Sequence, residues 1–216
     1  TTSKPTKIDQ AIKTGNGNDR AIHMKVLAGE SGEALLFELA LEDLTQAADL
    51  FRPIHDATGG ADGWVSLEVS PLLADNSAAT IKAAAQLHAQ AQCPNLFIKI
   101  PGTPAGIPAI EEMIFAGVPV NVTLLFSREH YIAAAEAYMR GIERRIAAGR
   151  DPRVGSVASL FVSRWDVAVK NNVPSALRNR LGIAIARRTY RAYHDLLASP
   201  RWIKLATSGA RPQRLL

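Results

Sequence analysis

From residue 64 onward the chain alternates short apolar runs of strand length with helical stretches long enough to cross back over a sheet, and this alternation constrains its fold more than any other feature. Trp64–Val69, Asn95–Ile100, Val118–Leu125 and Val154–Phe161 are rich in β-branched and bulky residues and read as strands. Between them lie an alanine-rich helix through Ala91 with Ser77 as its expected cap, a helix from Gly106 to Ala116, and a helix capped by Ser127 that runs to about Gly149. A helical region broken near Pro174 continues to Leu197, Trp202 opens another short helical stretch, and Arg214–Leu216 begin a further strand. Upstream, helices dominate as far as His55, and Gly59–Gly63 form a turn into the first of these strands. Tight turns suffice for antiparallel strands, whereas parallel ones need long crossovers, so the spacing predicts an α/β fold with parallel strands.

Two α/β architectures compete. A doubly wound sheet opens with a glycine-rich phosphate loop, and neither G-x-G-x-x-G nor G-x-x-x-x-G-K-[ST] occurs. A (β/α)8 TIM-type barrel instead carries its functional groups at the C-terminal ends of several strands. The polar residues fall there: Glu68, Lys99, Asn121 with Thr123, and Ser159 each interrupt an apolar strand.

Lys99 is the most demanding of them. Lysine is rarely buried without a partner, and a desolvated ammonium gives up its proton more readily, which frees the amine to attack carbonyl carbon. Taken alone, the residue fits either a Schiff-base nucleophile or a strand-end side chain carrying its charge out to solvent. The others also have plain structural roles open to them: Glu68 as an ion-pair partner of Lys99, Asn121 and Ser159 as backbone hydrogen-bonders, Thr123 as a strand former. As a set they suit imine chemistry. A carboxylate moves protons directly or through water, and neutral amides and hydroxyls fix substrate hydroxyls without adding charge. Arg164, just past the strand that holds Ser159, is placed to take a phosphate.

Composition narrows the function classes. With 47% hydrophobic and 21% charged residues over 216 positions, the chain matches one soluble domain rather than a disordered or membrane protein, and no apolar run reaches bilayer length. A cytoplasmic location is expected, in keeping with a single Cys93 that cannot form an internal disulfide. The net charge of +5 and the arginines crowded between Arg140 and Arg214 raise nucleic acid as a partner. However, Arg140, Arg144, Arg145, Arg187, Arg188 and Arg191 recur at helical spacing among alanines, as a solvated helix face would, and no zinc-finger, RNP or basic-zipper pattern accompanies them. The basic balance is therefore assigned to small anionic substrates. His23, His55, His88, His130 and His194 are scattered without an H-x-x-x-H pair, so neither a metal nor another cofactor is expected.

Four segments carry a family resemblance. Val65–Pro71 (VSLEVSP), Asn95–Thr103 (NLFIKIPGT), Val120–Ser127 (VNVTLLFS) and Ser156–Arg164 (SVASLFVSR) resemble, in order, the strand motifs of transaldolase in its longer bacterial form, over essentially the whole chain. The resemblance implies that Lys99 forms the Schiff base and that Glu68 shuttles protons with a bound water. It further implies that Asn121 and Thr123 belong to the next strand's active-site pair, and that Ser159, Phe161 and Arg164 bind substrate, Arg164 at the phosphate. The implied reaction moves a dihydroxyacetone unit from a ketose phosphate, sedoheptulose 7-phosphate or fructose 6-phosphate, to an aldose phosphate of the pentose phosphate pathway. A lysine-dependent aldolase releasing free dihydroxyacetone and a non-catalytic fragment are the rival readings.

The ends depart from the family pattern. Its barrel begins with a strand bearing a catalytic aspartate, and its second strand ends in a Thr-Ser-Asn-Pro motif; here Thr2-Ser3-Lys4-Pro5 puts Lys4 at the asparagine position. Gly209–Leu216 resemble part of the seventh strand. Residues 1–216 are accordingly expected to form a single barrel domain holding about strands two to seven, a fragment with little or no transaldolase activity by itself.

Overall fold

A computed structural model describes residues 2–3, 19–27, 29 and 31–216. The elements follow in the order β1 (Thr2–Ser3), α1 (Asp19–Leu27), α2 (Gly32–Ala57), β2 (Val65–Glu68), α3 (Ser77–Ala91), β3 (Leu96–Pro101) and α4 (Gly106–Ala116). They continue with β4 (Val120–Leu125), α5 (Arg128–Ala147), β5 (Ser156–Leu160), α6 (Ser163–Val169), α7 (Leu181–Leu197), α8 (Pro200–Thr207) and β6 (Arg214–Leu215). The chain divides into two units, Thr1–Pro71 with Ala83–Ile98 and Leu72–Lys82 with Lys99–Leu216.

In the first unit β1 pairs in parallel with β2, Thr2 opposite Ser66 and Ser3 opposite Leu67. The Val65 N–H donates to the Asn95 carbonyl, which brings β2 against the start of β3. Asn95 is fully buried, and its side-chain amide donates to the carbonyls of Ala48 (2.8 Å) and Gly63 (2.9 Å), tying α2 to the turn before β2. That turn requires glycine at 63: φ is +75°, and a Cβ would lie 2.3 Å from the His55 nitrogen. Trp64 then stacks on Phe97 at 4.1 Å and meets the edge of His55.

The second unit holds parallel β4, β5 and β6, with Val120 opposite Ser156, Asn121 opposite Val157, and Val157 opposite Arg214. At its other side the Gly102 N–H donates to the Thr123 carbonyl at 2.7 Å, so β3 leaves alongside β4. Helices α4 and α5 cross closely at Gly141, where a Cβ would sit 2.8 Å from that of Ile114. Parallel strands joined through helices are what the sequence spacing predicts.

Three expectations need correction. The cap of α3 is Asn76, whose Oδ1 accepts from the Ala79 N–H; Ser77 lies in the first turn and donates to the Ala105 carbonyl instead. Val118 is outside β4 because its N–H closes α4, bonding the Met113 carbonyl across Gly117 at φ +93°, and Pro119 has no N–H to offer a ladder. The arginines of α5 are partly exposed, as a solvated face would be, but they are not free. Arg140 and Arg144 pair with Glu111 and Glu112 of α4, and Arg145 donates to the Phe115 carbonyl. Arg187, Arg188 and Arg191 of α7 are exposed, as expected. Ser127 does cap α5, accepting from the His130 N–H, and Ser199 with Pro200 starts α8 ahead of Trp202.

Candidate active site

Every residue of β3 is buried, and Lys99 is only 7% exposed in a strand that otherwise presents Leu96, Phe97, Ile98 and Ile100. Counting back along both strands from the Gly102–Thr123 bond sets Lys99 level with Asn121, with Lys99, Asn121 and Thr123 on one face. Asn121 and Thr123 are likewise buried. On β5 the Ser159 hydroxyl donates to Asn121 Oδ1 at 2.8 Å, which fixes the orientation of that amide.

Past Ser159 the chain builds an aromatic platform. Phe161 stacks with Phe126 at 5.0 Å, and the Arg164 guanidinium lies 4.4 Å over the Phe161 ring. The Trp165 indole N–H donates to the Phe126 carbonyl at 2.7 Å. Ser159, Phe161 and Arg164 thus follow one another out of β5, with Asn121 and Thr123 within neighbouring β4 and Lys99 on the strand before. Glu68 belongs to the first unit, where it ends β2 half-buried, just before buried Val69 and Ser70. Lys4 lies outside the described residues.

Strand β4 carries an irregularity at the centre of this region. Val122 is opposite Ala158 but the next pair is Leu125 with Leu160, so Thr123 and Leu124 together face Ser159. Leu124 takes up the extra residue in a left-handed conformation, φ +58°, with its side chain partly exposed.

Residues 1–213 match the Transaldolase/Fructose-6-phosphate aldolase family. The chain belongs to that family. Curated relatives bearing the name transaldolase include one from Parafrankia sp. strain EAN1pec, 42% identical over 224 residues that take in all of this chain and 60% of the relative. Others come from Streptomyces avermitilis, 42% identical with 59% of the relative covered, and from Thermobifida fusca, 42% identical with 61% covered. The chain thus spans about 60% of the length of the relatives it matches. The α/β fold with parallel strands agrees with the TIM barrel of the transaldolase family.

Within the transaldolase frame, the sequence left three residues of this region unread. Phe126, Trp165 and Leu124 lie beside the motif residues, but strict alternation along β4 puts Phe126 on the face away from Asn121. Only the bulge brings it round. Among the described residues no helix is long and apolar enough to cross a membrane.

Proposed function

We propose that the chain carries the imine-forming part of a transaldolase site, with Lys99 as the nucleophile. The observation that supports it most is a lysine buried in an apolar strand, level with Asn121 and on the same face, where the Asn121 amide is already oriented by Ser159. The neutral Lys99 amine adds to the C2 carbonyl of a ketose phosphate, and the carbinolamine takes up one proton from solvent and loses water to leave the protonated imine. Glu68, working through a water, takes the proton of the C4 hydroxyl; the C3–C4 bond breaks, the aldose phosphate departs, and its electron pair is held as the enamine. The enamine carbon then attacks the aldehyde of an incoming aldose phosphate, and hydrolysis returns Lys99. Asn121, Thr123 and Ser159 hold the three-carbon unit's hydroxyls, and Phe161 and Arg164 receive the phosphate end. The reading includes one barrel domain, a cytoplasmic setting and the pentose phosphate pathway as context.

Transfer is distinguished from simple cleavage by the acceptor. Whatever turnover the chain supports with fructose 6-phosphate as donor, expected to be small, should place the three-carbon unit in a new ketose phosphate only when an aldose phosphate is present, with little free dihydroxyacetone. Dihydroxyacetone accumulating at the same rate with or without acceptor would contradict transfer and favour an aldolase.

A further inference from the structure

We propose that Leu124 is a positioning residue which, through Phe126 and Phe161, holds Arg164 where it takes the phosphate of a sugar phosphate; this rests on the substrate class proposed above. Parity along β4 decides which face Phe126 takes. Side chains alternate along a strand, and one inserted residue sends every later side chain to the opposite face. Asn121 and Thr123 share a face, and without the insertion Phe126 would lie on the other one, with Val122. Because Thr123 and Leu124 together oppose Ser159, the count advances by one: Leu125 is buried opposite Leu160, and Phe126 comes to the face of Asn121. The Phe161 N–H donates to the Leu125 carbonyl at 2.8 Å, which locks β5 to β4 just past the bulge and sets the two phenylalanine rings side by side.

The stack has a consequence for Arg164. Its side chain is exposed, and an arginine in that position loses much rotamer freedom when it must bind an anion in one geometry. Lying over the Phe161 ring, the guanidinium uses its flat face and keeps its N–H edge for a phosphate. The Trp165 indole clamps the backbone of Phe126 from the helix that also carries Arg164. A leucine held at positive φ is costly, and such strain persists where the surroundings over-determine it.

Phenylglyoxal labelling with peptide mapping reads the platform directly, with inorganic phosphate as the probe. Phosphate is expected to protect Arg164 in the unaltered chain and in Leu124→Gly, since glycine adopts positive φ freely. In Phe126→Leu, and in Leu124→Ile whose β-branch opposes that conformation, equal protection should require about tenfold more phosphate. Arg187, exposed on α7, should label alike in all four proteins. Equal protection of Arg164 in the unaltered chain and in either Phe126→Leu or Leu124→Ile, or none in the unaltered chain, would overturn the proposal. Borohydride trapping on Lys99 reads the reaction separately. Its absence alongside Phe126-dependent phosphate protection would sink the reaction and leave the platform standing.

Discussion

Ser159 shows how a single hydroxyl can govern the chemistry beside it. Its hydrogen bond to Asn121 Oδ1 stabilises the fold modestly but decides which way the amide faces. Ser159→Ala removes the donor and is expected to cost about 0.5–1.5 kcal/mol in urea unfolding. Imine formation at Lys99 should slow by more than that stability loss explains, because Asn121 can then turn. Trapping rates unchanged in a destabilised variant would mean that the bond serves stability alone. Lys99, Asn121, Thr123 and Ser159 were legible in the sequence for one physical reason: a polar side chain within an apolar strand must be satisfied or used, and several at matching strand positions point to use. Leu124 was not, because nothing in Val122-Thr123-Leu124-Leu125-Phe126 departs from ordinary strand composition, and leucine gives no sign of a left-handed backbone.

Between elements, paired charges do much of the work that the sequence credited to solvent. Arg201 of α8 bonds Glu143 at 2.6 Å and also pairs with Glu136, both on α5. The Arg201 side chain holds the Glu143 carboxyl below its ordinary value of 4.5. The folded state therefore binds fewer protons than the unfolded chain just below pH 4.5, so this contribution is present above that pH and is lost as pH falls through the lowered value. In Arg201→Gln, stability should decline less steeply between neutral pH and this acid range, followed by urea unfolding at several pH values. Parallel profiles for the two proteins would show that the pair carries no linkage; because both side chains are partly exposed, the difference should shrink in high salt. The partners of Arg140 and Arg144 lie far away in sequence, which is why helical spacing read them as a free surface. The cap of α3 misled for a similar reason: Asn76 and Ser77 are both good caps, and the Ala105 carbonyl, a tertiary partner, decides between them.

At the scale of the whole molecule, the alternation of strands and helices was the most legible property, because crossover length alone separates parallel from antiparallel pairing. Family membership follows from matching residues 1–213, and transaldolase chemistry is the proposal that joins the family to the buried lysine. That proposal stands or falls on one covalent bond. Borohydride reduction of the chain in fructose 6-phosphate, followed by peptide mass mapping, should place a reduced sugar adduct on Lys99, and Lys99→Met should abolish it while remaining folded. No adduct in the unaltered chain, or one spread over exposed lysines such as Lys82 and Lys204 and retained in Lys99→Met, would contradict the account.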